Sequence, residues 1–304
     1  MKQWRVWLQA ARLRTLPLAS AGILTGSALA AQAGAFRLNI FIWAWLTALL
    51  LQILSNFAND LGDAQHGADS AHRQGPTRAV QSGAISHRAM WRAIFFTGGG
   101  SLLTGTYLLY LAFFSGSVPN YKAFTILLLI GVLAILAAIG YTIGKRPYGY
   151  WGLGDLSVWL FFGLIAVAGS YFLYTGQLTA AVWGAAAAIG FWSVGVLNLN
   201  NMRDIESDRL AGKRSLPVRM GYQAARYYHA FLVIAGMLAL LFTANILFHQ
   251  RQQFVFLLTY PLFVIHLKKV WNTAEPPQLD PLLKQLALST FFCSVLFAAA
   301  AFWG

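Results

Sequence analysis

The sequence predicts an all-α, polytopic membrane protein with nine transmembrane helices in a single domain, residues 1–304. Three observations lead there. Hydrophobic residues make up 58% of the 304 positions and charged residues only 10%, with a mean hydropathy of +0.58, a balance outside that of soluble domains. Apolar stretches of roughly 20 residues, the length that crosses a bilayer core, recur up to the carboxyl end. The basic residues fall on alternate connections between those stretches, as topology requires.

The expected spans are Leu16 to Ala33, Leu38 to Phe57, Ala93 to Phe114, Phe124 to Tyr141, Leu156 to Tyr174, Ala180 to Leu199, His229 to Phe248, Phe254 to Val270 and Leu286 to Trp303. In the first, Gly22 and Gly26 form a small-xxx-small face suited to close helix contact. With the amino terminus in the cytoplasm, only Arg37, Lys122 and Arg251 of the 22 basic residues lie outside, which leaves 19 on the inner side. That bias places the carboxyl terminus outside. It also accounts for the net charge of +13 without a nucleic-acid partner. The single cysteine, Cys293, lies in the last apolar run, so intrachain disulfides and cysteine zinc sites are excluded. No obligate protein partner is evident.

All nine acids lie on the cytoplasmic side, although topology makes no such demand of acids. One-sided polarity argues against a transporter or channel that passes an anion or lipid head, because those need polar features at mid-membrane. Two cytoplasmic connections are long, about 58–92 and 200–228, and each begins with acids at a helix end, so the chain reads as two tandem pseudo-repeats with motifs at 59–69 and 201–208. In the first motif Asn59, Asp60 and Asp63 are spaced three and four apart, and in the second Asn201, Asp204 and Asp208 follow i, i+3, i+7. Each set projects from one helix face. Two such faces make an oxygen-rich pocket suited to Mg2+, which takes oxygen ligands and bridges carboxylates to phosphates. Arg73, Arg78, Lys145, Arg146, Arg203, Lys213 and Arg214 lie near enough in sequence to neutralise phosphate oxygens. A polyanionic head beside an apolar bundle implies an amphiphile such as a polyprenyl diphosphate. Ionising its allylic C–O bond is favoured by metal and cationic side chains, and aromatic faces would stabilise the cation; Tyr141, Tyr148, Tyr150, Trp151, Trp159, Phe161 and Phe162 are candidates. No glycine-rich phosphate loop is present.

The motifs resemble those of the UbiA superfamily of intramembrane prenyltransferases. Asn59 to Asp63 is similar to its NDxxD motif and Asn201 to Asp208 to its second, DxxxD motif, while Gly67 stands where many members carry a further Asp and Asp69 follows two residues later. Arg12 to Pro17, Gly75 to Arg78 with Gln81 to Gly83, Tyr148 to Asp155, and Gly212-Lys213 resemble the branch that prenylates a naphthoate. The resemblance implies a UbiA-like bundle in the bacterial cytoplasmic (inner) membrane that transfers a polyprenyl chain to 1,4-dihydroxy-2-naphthoate with loss of CO2. A sister acceptor such as 4-hydroxybenzoate is the alternative. By the same resemblance Asn59, Asp60, Asp63, Asp204 and Asp208 hold Mg2+. Asp69, Arg78, Tyr141, Lys145, Arg146, Asn201, Arg203 and Lys213 then serve diphosphate or substrate. Asp155 either positions or deprotonates the naphthol or starts the fifth helix, and His66 and His72 are general bases or solvated loop residues.

Overall fold

The computed structural model describes residues 3–66, 78–115 and 118–302. They form a helical bundle, with no strand among the described residues. A short amphipathic helix, α1 (Gln3–Ala10), precedes the apolar spans, an element that hydropathy alone does not signal. It buries Val6 and Ala10 and sets Trp7 edge-on to Phe57 at 5.7 Å, with Trp4 and Leu8 outward. Then come α2 (Leu16–Gln32), α3 (Leu38–Gln65), α4 (His87–Phe113), α5 (Tyr121–Gly140), α6 (Gly154–Thr175), α7 (Ala180–Arg203), the short α8 (Ile205–Leu210) and α9 (Leu216–Met220), α10 (Tyr222–Leu247), α11 (Arg251–Asn272) and α12 (Asp280–Phe302).

Among the described residues eight helices are long and apolar enough to cross a membrane. The first expected span, α2, is 17 residues long and falls just below that length. It is also the most enclosed of the early helices, with Leu18 to Ile23 and Thr25 to Ala30 buried. Its small residues make this possible. A Cβ on Gly22 would fall 2.6 Å from Ala166 Cβ, and one on Gly26 would fall 2.5 Å from the Val167 carbonyl, so α2 and α6 touch through their backbones. Where they meet, α6 widens into π-helical turns over Trp159–Gly169. At the opposite extreme, α5 buries only Ala123 and presents its apolar sides outward, as a lipid-facing helix does.

Two helix ends carry the acid motifs. α3 runs two turns past its expected end at Phe57 and holds Asn59, Asp60 and Asp63 within the helix. α7 stops at Arg203, and the chain turns at Asp204 into α8.

Candidate functional site

A cavity of about 420 Å³ joins the two motifs. Asn59 and Asp63 from α3 line it, as do Asn201 from α7 and Asp204, Asp208 and Lys213 from the segment beyond. Its other walls are apolar, with Leu18 and Ile23 of α2, Leu109 of α4, Leu127 of α5 and Ile165 of α6. Five cations, Arg12, Arg14, Arg78, Lys213 and Lys284, share its lining with three carboxylates, Asp63, Asp204 and Asp208. One end of the cavity is therefore polar and cationic, and the remainder is greasy.

The first motif is fixed by close packing. Gly62 lies against the turn after α5: a Cβ there would fall 2.6 Å from Thr142 backbone and side-chain atoms. Thr142 Oγ1 donates to the Ala58 carbonyl at 3.0 Å and to Asn59 Oδ1 at 3.2 Å. Asn59 and Asp63, one turn apart, face the cavity. Asp63 accepts from Arg78 Nη2 at 2.8 Å and from the Tyr150 hydroxyl at 3.1 Å. Asp60 is buried elsewhere: its two oxygens accept from the backbone N–H groups of Val80 at 3.0 Å and Ala79 at 3.2 Å. It pins the loop that carries Arg78.

The second motif keeps its face despite the helix break. The Asp208 N–H donates to the Asp204 carbonyl at 2.8 Å, an α-type bond across the turn. Asp204 is forked by its neighbour Arg203, from Nε to Oδ1 at 2.9 Å and from Nη2 to Oδ2 at 2.5 Å. Asp208 accepts from Lys213 Nζ at 3.2 Å through Oδ1, and its Oδ2 is buried with no partner. Burial pushes the Asp208 carboxyl above its ordinary pKa, although Lys213 opposes the shift. Burial alone would lower the Lys213 pKa, but the carboxylates of Asp208 and Asp63 outweigh it, so the ammonium is held in its charged form.

Residues 19–296 match the UbiA prenyltransferase family. The chain belongs to this family. It is 40% identical over 296 residues to the 1,4-dihydroxy-2-naphthoate octaprenyltransferase of Haemophilus influenzae, covering 97% of this chain and 94% of that one. To the enzyme of the same name from Escherichia coli it is 41% identical over 298 residues, covering 98% and 95%. A UbiA homolog from Archaeoglobus fulgidus, solved bound to DMAPP and Mg2+, superposes with a TM-score of 0.59 at 18% identity, over 94% of this chain and 98% of that one. The bundle is thus a UbiA fold, and the protein is a multi-pass membrane protein.

Within this UbiA bundle the expected site residues divide. Asn59, Asp63, Arg78, Tyr141, Asn201, Asp204, Asp208 and Lys213 meet at the cavity. Asp60 and Arg203 stand behind it. Lys145 and Arg146 are exposed on the turn after α5. Asp155 lies in the first turn of α6, where the Tyr228 hydroxyl donates to its Oδ1 at 3.2 Å, and it does not line the cavity. His66 pairs with the Gly144 carbonyl at 2.9 Å. Asp69, His72 and Arg73 lie outside the described residues. Among the aromatics, Tyr141, Tyr148, Phe161 and Phe162 line the cavity; Tyr150 instead serves Asp63 with its hydroxyl.

Sequence reasoning missed Gln52, Asn56 and Asp280. Gln52 and Asn56 extend the Asn59 and Asp63 stripe backward along α3 into the cavity wall. Asn56 Nδ2 donates to the Ala11 carbonyl at 2.8 Å and to Thr15 Oγ1 at 3.1 Å, tying the amino-terminal turn to α3. The signal was there, since two amides at helical spacing inside an apolar span mark a polar face.

Proposed function

We propose that the protein transfers a polyprenyl chain from polyprenyl diphosphate to 1,4-dihydroxy-2-naphthoate, with Mg2+, giving demethylmenaquinol, CO2 and diphosphate. The observation that carries this reading is a cavity whose lining joins acids of both motifs and five cations to apolar walls. Such a shape suits a diphosphate bearing a hydrocarbon tail. The naphthoate octaprenyltransferase name of relatives aligned over nearly the whole chain supports the acceptor.

The donor set fits Mg2+. It is all oxygen, and two of its atoms, Asp208 Oδ2 and Asn201 Oδ1, are buried without a hydrogen-bond partner, so each has a lone pair free for a cation or its water. Among the described residues no three His, Cys, Asp or Glu side chains close into a ready metal cage. An ion held there would take water or phosphate oxygens for the rest of its shell. Asn59, Asp63, Asn201, Asp204 and Asp208 would hold it, and when bound it stabilises negative charge on the departing diphosphate.

The protein's own groups act around that charge. Arg78 and Lys213, each already paired with a motif acid, take up the diphosphate oxygens as the allylic C–O bond breaks. The rings of Tyr141, Tyr148, Phe161 and Phe162 on the cavity wall offer electron-rich faces to the allylic cation, and the apolar walls exclude water that would capture it. The new C–C bond forms at the naphthoate carbon that bears the carboxylate. The electron pair of the broken C–CO2 bond stays with the ring as CO2 leaves, which balances the bond made to the prenyl carbon.

In the cell the protein lies in the bacterial inner membrane with its amino terminus and the polar end of the cavity in the cytoplasm and its carboxyl terminus outside; the one-sided distribution of Lys and Arg supports this orientation. Purified protein incubated with Mg2+, labelled polyprenyl diphosphate and each acceptor in turn tests the proposal. Demethylmenaquinol from the naphthoate is expected. Product from 4-hydroxybenzoate alone would overturn the acceptor, and no product from either would overturn the reaction.

A further inference from the structure

Asp280 opens α12 and does not line the cavity, yet its carboxylate stands between two guanidinium groups. Arg14, a cavity-lining residue from the turn before α2, donates from Nη1 to both Asp280 oxygens, at 3.1 and 3.2 Å. From the other side Arg203 Nη1 donates to Asp280 Oδ1. Arg203 is only 1% exposed, and its remaining donors go to Asp204 and, from Nη2 at 3.0 Å, to Asn200 Oδ1. The four charged groups form a chain, Arg14 to Asp280 to Arg203 to Asp204, whose two ends line the cavity.

The charge balance along that chain decides what Asp280 does. A buried guanidinium with a single carboxylate partner cancels that partner's charge, whereas one shared between two carboxylates leaves a net negative unit. Without Asp280, Arg203 would neutralise Asp204, and Asp204 would attract a cation poorly. Arg14 would also be released, adding a free cation to the cavity wall. Both changes have the same sign.

We propose that Asp280 is a positioning residue that sets the charge of the metal-binding end of the cavity. It shares Arg203 so that Asp204 keeps its pull on cations, and it holds Arg14 so that the pull on anions is moderated. The inference rests on the reading of Asp204 as part of an Mg2+ and diphosphate site. It differs from a packing role in one respect: loss of the charge moves cation and anion affinity in opposite directions.

The test uses the full chain in detergent, with Mn2+ as a paramagnetic substitute for Mg2+ and the free ion followed by EPR. Asp280→Asn is expected to weaken Mn2+ binding roughly tenfold, the order produced by one unit of charge at a partly buried site. At saturating Mg2+ its KM for the prenyl diphosphate falls, and a KM that rises overturns the proposal. Asp280→Glu restores Mn2+ affinity. Arg14→Gln, which removes a cation from the same chain, tightens Mn2+ binding, so a result is available even where Asp280→Asn does not fold, as judged by thermal unfolding. Unchanged Mn2+ affinity in Asp280→Asn, or weaker binding in Arg14→Gln, overturns the proposal. Asp208→Asn separates the two readings: if the wild type itself binds no Mn2+, or Asp208→Asn binds it as the wild type does, it is the metal site that fails.

Discussion

The two acid motifs carry the same residue types but are braced by opposite means. In the first, an unbroken helix carries all three polar residues, and the brace comes from far along the chain: Asp60 takes the backbone amides of residues 79 and 80, while Arg78 from that same loop meets Asp63. In the second, the helix breaks and the brace is local, with Arg203 forking the adjacent Asp204 and Lys213 reaching back to Asp208. Yet each ends alike. The last carboxylate of each, Asp63 or Asp208, faces the cavity with a cation beside it; of the other two, Asp204 also lines the cavity while held by Arg203, and Asp60 is turned to backbone amides outside it. An acid motif read from spacing therefore mixes carboxylates that line the cavity with one that only braces the scaffold.

If that distinction holds, the largest effects belong to the cavity-facing acids. Asp63→Asn and Asp208→Asn are expected to lower kcat by roughly a hundredfold to a thousandfold, the range for removing one preorganised charge contact, with the protein still inserted in membranes. Turnover within a few fold of wild type would contradict their placement at the reacting end of the cavity. Arg78→Gln and Lys213→Gln come next, each raising the KM for prenyl diphosphate by roughly tenfold through loss of a charge-assisted contact. Steady-state kinetics at saturating Mg2+ reads this out.

Asp60→Asn is expected to act on stability instead. Its amide would set an N–H against one of the two backbone donors, at a cost of about 1–3 kcal/mol for the unsatisfied group. A lowered unfolding temperature is expected, with the Mg2+ dependence of the remaining activity unchanged; a large rise in the Mg2+ requirement would move Asp60 from strut to ligand. Gly62→Ala should destabilise by about 1–3 kcal/mol, because the new methyl meets Thr142 and α3 has to shift. The smallest effect is in pH. Because burial raises the Asp208 pKa, protons compete with metal there as pH falls, so Mg2+ affinity should drop on acidification and Asp208→Asn should flatten that dependence.

Much of this arrangement was legible in the sequence. Membrane length and apolarity gave the spans to within a turn or two, because a bilayer imposes one length on every helix. The exceptions have physical reasons. α3 continues past Phe57 because Asn59, Asp60 and Asp63 find partners at residues 78–80, 142 and 150. α1 is too short and too polar for a hydropathy window. The face shared by Asn201, Asp204 and Asp208 followed from helical spacing, and so did that of Asn59 and Asp63. Spacing could not separate Asp60 from Asp63, since three residues apart covers nearly a full turn and only tertiary contacts decide which way a side chain is used. Asp280 was invisible for a related reason: it lies 77 residues from Arg203, and nothing in the local pattern links them.

Asp63 and Asp208, one from each half, jointly face a single site for Mg2+ and diphosphate in the mechanism proposed above. A structure determined with Mg2+ and a non-reactive thio analogue of the prenyl diphosphate tests this most directly. The diphosphate is expected between the two motifs, with metal or its water in contact with Asp208 Oδ2 and Asn201 Oδ1, the tail along the apolar walls, and Asp60 still bonded to residues 79 and 80. Metal seated on Asp60, or a diphosphate bound outside the cavity at one motif alone, would contradict it.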